Sequence, residues 1–143
     1  MDDNRKVPEQ TMVVLLAAGK GTRMGSDTVK VCFDIDSVPA INRQIAVFKR
    51  CKFSRFMVVV GAKPEQVLET VAREHPEVIY VHQEPQLGTG HAAKIAAEAL
   101  RAIDYAGCVL VTMGDKYIED AAIEALVDGY VKQRADMAML TIP

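Results

Sequence analysis

Residues Met12–Ala17 read MVVLLA, and the run ends in Ala18-Gly19-Lys20-Gly21. Consecutive aliphatic residues with no polar alternation describe a strand covered on both faces, as in the middle of a parallel sheet. Moving outward, the chain repeats the pattern. Phe56–Val60 (FMVVV), Val78–Val81 (VIYV), Cys108–Thr112 (CVLVT) and Met137–Ile142 (MAMLTI) are further apolar runs of strand length. Between them lie stretches with helical spacing. Pro39–Cys51 carries Ile41, Ile45 and Phe48, and Lys63–Glu74 carries Val67, Leu68 and Val71 behind Pro64. Thr89–Ile103 carries Ala93, Ala96, Ala97 and Leu100, and Glu119–Arg134 carries Ile123, Leu126, Val127 and Tyr130. Strand alternating with helix over short connections predicts an α/β fold, a Rossmann-like and mostly parallel sheet with helices on both faces. In such a sheet the ligand sits beyond the carboxyl ends of the strands, which directs attention to the segments after Ala17, Val60, Val81 and Thr112.

Composition narrows the partners. A chain of 143 residues, half of them apolar, is the size of one domain with its own core. Lys and Arg total 17 against 19 Asp and Glu, a net charge of −2, which argues against nucleic acid or an anionic membrane surface as partner. Cys32, Cys51 and Cys108 are too far apart for a zinc motif and read as reduced thiols of a cytoplasmic protein. No apolar run approaches the ~18 residues of a membrane span. Residues 1–11 form a polar N-terminal arm with no signal-peptide pattern. No repeats or low-complexity segments interrupt the chain, and nothing in it fixes whether it forms a homo-oligomer.

Three loops carry chemistry. The first, Leu16-Ala17-Ala18-Gly19-Lys20-Gly21-Thr22-Arg23-Met24 with Lys30 beyond it, combines close-approach glycines with cations and free backbone N–H groups, a combination suited to phosphates. It fits neither GxxxxGK[ST] nor GxGxxG, since Met24 stands at the third glycine position. A plain glycine turn with surface cations would also explain it. The second, Gln83 to Ala92 (QEPQLGTGHA), leads into a helix. Glutamines offer donors and an acceptor to a base edge, whereas Thr89 as N-cap and Gly88 and Gly90 as turn residues explain the glycines alone. The third, Gly114-Asp115, sets a carboxylate beyond a buried strand, either as a hard-cation ligand or as a turn acid. His91 reads as a packing or hydrogen-bonding residue. His75 and His82 receive no role.

LAAGKGTRM followed by Lys30 resembles the signature of the sugar nucleotidyltransferases, the nucleoside-triphosphate pyrophosphorylases. The second loop is similar to a motif of their uridylyl-transferring branch, above all the N-terminal domain of bacterial N-acetylglucosamine-1-phosphate uridyltransferases. The resemblance implies transfer of UMP from UTP to a sugar-1-phosphate such as N-acetylglucosamine-1-phosphate, with release of pyrophosphate. It implies Arg23 and Lys30 as catalytic phosphate contacts and Asp115 as a ligand of Mg²⁺. It implies nucleotide binding by Leu16, Ala17, Ala18, Gly19, Gly21, Thr22, Gln83, Gln86, Gly88 and Thr89. Val29 stands where the pattern has proline, Met113 where an aromatic residue is frequent, and Lys116 beside the acid where a small or apolar residue is common. The family's catalytic domain runs to roughly 200–250 residues. Residues 12–143 are therefore expected to be its nucleotide-binding part, truncated at the C-terminus, with the sugar site beyond. The alternatives are a cytidylyl or thymidylyl transferase, or a non-catalytic nucleotide-sugar-binding regulatory protein of the same fold.

Overall fold

The computed structural model describes residues 3–21 and 26–141, with side chains from Lys6 onward. MVVLLA lies in strand β1 (Thr11–Ala17), every residue of which is buried. It pairs in parallel with β4 (Arg55–Val60) on one side and β6 (Cys108–Met113) on the other, and β5 (Ile79–His82) pairs in parallel with β4. The order β5-β4-β1-β6 places the first strand inside and reverses direction across it. This is the α/β, mostly parallel and helix-flanked sheet that the alternation predicts.

The period-two side-chain alternation divides β1 between two cores. Val13, Leu15 and Ala17 join Ile41, Ile45 and Phe48 of α2 (Ala40–Arg50), Val67 and Val71 of α3 (Pro64–Ala72), and Ile123 and Val127 of α5 (Asp120–Lys132). Met12, Val14 and Leu16 join Met57 and Val59 of β4 and Ala92, Ala96 and Leu100 of α4 (Thr89–Ala102). Three helices thus cover one face, and α4, with its small alanines, lies close on the other. Residues 3–9 of the expected polar arm form a short helix, α1 (Asp3–Glu9), whose Val7 packs on the first of these cores. A short hairpin, β2 (Asp34–Ile35) with β3 (Val38–Pro39), precedes α2.

Among the described residues the strand expected at Met137–Ile142 does not form, and Ile142 lies outside them. Residues 137–141 are irregular, and Met137, Met139 and Leu140 are exposed. An apolar run becomes a strand only when a ladder receives it. These residues instead line a groove of about 780 Å³ between β6 and α5. The outer edge of β6 has no strand beside it among the described residues, and its Val109 and Val111 are exposed. No helix among the described residues is long and apolar enough to cross a membrane.

Candidate functional site

The reversal of strand order between β4 and β6 around β1 opens a crevice at the carboxyl ends, where three connecting segments converge. The loop after β1 leaves through Ala18, Gly19, Lys20 and Gly21, and a Cβ at Gly19 or Gly21 would meet nothing within 4 Å. Their backbone is open to a ligand. Thr22 and Arg23 lie outside the described residues.

Two glycines set how tightly the segments approach. Gly61, just after β4, leaves room where a Cβ would come within 2.7 Å of the Ala18 carbonyl oxygen and 2.9 Å of Gln86 Nε2. Gly114, just after β6, donates its N–H to Leu16 O at 2.9 Å, and a Cβ there would press on Val31 at 3.2 Å. The turn after β6 is thereby drawn against the end of β1, where it presents Asp115.

Lys30 and Asp115, from separate motifs, meet in an ion pair, Nζ to Oδ2 2.9 Å. The Lys30 side chain is 63% exposed and that of Asp115 15%. Hydrogen bonds hold the segments that carry them. Lys30 N–H donates to Gly21 O at 3.1 Å, and Ile118 N–H, beyond Asp115, donates to Oε1 of the fully buried Gln44 at 2.9 Å. Cys32 follows in the single 3₁₀ turn Lys30–Cys32. Burial pushes its thiol above the ordinary range, opposed by a hydrogen bond with Thr70, so it stays protonated at neutral pH.

In the loop after β5, the structure separates the two glutamines. Gln83 is buried, its N–H bonded to Val60 O, and its Nε2 donates to Gly88 O at 3.1 Å and to His91 Nδ1 at 2.8 Å. Because Gly88 O can only accept, the nearby amide atom is nitrogen, and His91 Nδ1 must accept. Gln83 therefore ties the loop to the start of α4, with both amide protons committed. Gln86 is half-buried against Gly61, and Gly88 (φ 98°) and Thr89 are exposed beside it.

Three polar residues that shape the site, Gln44, Lys63 and Gln66, are missing from the sequence reading. Gln44 was detectable, since it falls on the same helical face as Ile41, Ile45 and Phe48, where an amide must find a partner. Lys63 and Gln66 bond the chain at Asp27 and Val29, contacts for which local spacing carries no signal.

The MobA-like NTP transferase domain family matches residues 13–143. Curated relatives called Bifunctional protein GlmU are 34% identical over 129 residues in Geotalea daltonii and 41% identical over 124 residues in Neisseria meningitidis serogroup B. They cover 90% and 85% of this chain, which spans only 28% and 26% of theirs. The crystal structure of HddC from Yersinia pseudotuberculosis superposes with a TM-score of 0.67 at 25% identity, covering 87% of this chain and 54% of that one. The chain belongs to the MobA-like NTP transferase domain family.

Proposed function

We propose that this chain is the nucleotide-binding part of a cytoplasmic, Mg²⁺-dependent sugar-1-phosphate nucleotidyltransferase. UTP is the favoured donor and an amino-sugar 1-phosphate such as N-acetylglucosamine-1-phosphate the acceptor. The observation that carries this reading is the Lys30–Asp115 pair, with Asp115 just beyond β6 and Lys30 bonded through its N–H to Gly21 of the open glycine loop after β1. The relatives called GlmU support the choice of chemistry.

In the proposed reaction, an oxygen of the sugar phosphate attacks the α-phosphorus of the nucleotide. The new P–O bond forms as the α–β bridging bond breaks, and pyrophosphate departs with the electron pair. The nucleophile is already an anion, so no general base is required. The protein's work is alignment and charge neutralisation. Lys30, mostly exposed, would turn from Asp115 to the α-phosphate, and Arg23 would hold the β- and γ-phosphates. Gln86 would read the base, with the backbone at Gly88 and Thr89, while Gln83 keeps that loop in shape.

Asp115 fits Mg²⁺ as one hard oxygen ligand. The described residues contain no group of three or more His, Cys, Asp or Glu side chains that could cage a metal. A lone carboxylate matches an ion that takes most of its oxygens from phosphates and water. When bound there, Mg²⁺ would supply charge neutralisation on the phosphates.

Melting temperatures measured with Mg²⁺ and each of UTP, CTP, dTTP, ATP and GTP test this reading, since a ligand of the folded state raises the melting point by mass action. A UTP-selective rise is expected. A preference for CTP or dTTP would reassign the base, and no rise with any nucleotide would overturn the reading for this chain.

A further inference from the structure

The segment leading into Lys30 is held from outside by the first turn of α3. Gln66 uses both ends of one amide there. Its Oε1 accepts the Val29 N–H at 2.9 Å, and its Nε2 donates to Asp27 O at 3.0 Å. Lys63 adds a bond from Nζ to the same Asp27 carbonyl at 2.6 Å and lies 3.5 Å from the Asp27 carboxylate. Lys63 occupies the left-handed region, φ 47°, at the helix N-cap. A lysine is rarely found there, and the conformation persists only where the surroundings hold it.

We infer that Gln66 is the positioning residue for Lys30. It pins the peptide planes at 27 and 29 so that the lysine ammonium is presented at Asp115 and, in the proposed function on which this inference rests, at the α-phosphate. Val29 sits at φ −61°, ψ 138°. That φ is the value a proline ring enforces, but proline has no N–H to give to Gln66. The clamp acts through a donor that one substitution removes while leaving the local backbone angle intact. Val29→Pro fixes that φ covalently and removes the donor, so that of the two Gln66 contacts only the one to Asp27 O remains.

The test uses the full chain in four forms: wild type, Gln66→Ala, Val29→Pro and the double variant. The first readout is the rate at which acetic anhydride acylates Lys30 in ligand-free protein, referenced to Lys94. The second is Mg²⁺–UTP affinity from the melting shift. Gln66→Ala is expected to raise Lys30 acylation several-fold and to weaken UTP by roughly three- to tenfold, the scale of one or two hydrogen bonds. In the Val29→Pro background the same change is expected to cost less than about twofold, the non-additivity of partners in one contact. An equal effect of Gln66→Ala in both backgrounds, or unchanged Lys30 acylation, overturns the positioning role. Absence of any UTP response in the wild type overturns the functional reading instead, and acylation still decides the clamp. If Val29→Pro does not fold, Gln66→Glu keeps an acceptor for Val29 N–H. It loses the donor to Asp27 O, so its Lys30 acylation should fall between wild type and Gln66→Ala, and a rate equal to that of Gln66→Ala overturns the inference.

Discussion

The ammonium of Lys30 and the carboxylate of Asp115 lie 2.9 Å apart, yet the lysine is 63% exposed and the acid only 15%. The pair is asymmetric in mobility. The lysine, mostly in solvent, can swing to a new anion, whereas the mostly covered carboxylate it leaves stays in place and needs another cation. With its cation mostly in solvent, the pair adds only about 1 kcal/mol to stability. Lys30→Ala is therefore expected to leave the ligand-free melting point almost unchanged while removing the UTP-dependent rise. Paired melts with and without Mg²⁺–UTP check this, and a rise of wild-type size in the variant would contradict it.

Asp115→Asn separates charge from shape. The amide keeps the side-chain volume but loses the anion that a divalent ion needs. The nucleotide response of this variant should become insensitive to Mg²⁺, whether the ion is supplied or chelated. Unaltered Mg²⁺ dependence would move the metal away from this residue.

Gly61→Ala tests the packing of the crevice. The added methyl would lie 2.7 Å from the Ala18 carbonyl oxygen and 2.8 Å from Ala18 Cβ. Two of the three nearest atoms belong to Ala18, which follows the buried central strand and cannot give way cheaply. Overpacking of this kind costs about 1–3 kcal/mol. A lowered melting point together with weaker UTP binding is expected, and an unchanged melting point would show that the loops can yield.

Acid sensitivity should trace to His75. It is 7% exposed, and its Nδ1 accepts from Lys49 Nζ at 2.9 Å. Burial first, then the Lys49 charge, hold its pKa below the ordinary 6.5, against the opposing pull of Glu77, Glu74 and the Asn42 backbone. A histidine depressed in the fold binds its proton more readily when unfolded, so stability is full above about pH 6.5 and falls as the pH drops below it. Glu77 and Asp120 are also held below their ordinary values of 4.5 and 3.8, by Lys49 and Arg50 respectively, and so act in a more acidic range. The melting point should decline between pH 7 and 5.5, and His75→Asn should flatten that decline. An equal slope in both proteins would assign it elsewhere.

The sheet was legible because its signal is local. MVVLLA and FMVVV are buried along almost their whole length, and short apolar runs separated by amphipathic helices leave few alternative topologies. MAMLTI carried the same local signal, but no neighbouring strand receives it among the described residues. At the site, Gly19, Gly21 and Asp115 stand just beyond strand ends, where the alternation directs attention, whereas Lys30, well past β1, is singled out by the resemblance of LAAGKGTRM. The commitment of Gln83 to Gly88 and His91 could not be read in this way, because its burial depends on the path of the loop. Gln66 acts on Val29 across two elements, and no periodicity within either segment encodes that meeting.

The central place of β1 also governs how the chain is made. Thr11 and its neighbours pair with residues from Cys108 onward, roughly a hundred residues later. At a synthesis rate of about 5–20 residues per second, MVVLLA emerges well before Cys108 and waits seconds for its second flanking strand. Until then it is an aliphatic strand of high β-propensity with one edge unpaired, the kind of segment most prone to pairing with other chains. Yield on expression should therefore depend on what shields this first strand during translation, and hydrophilic changes at Val13 or Leu15 cannot relieve that hazard without destroying the core.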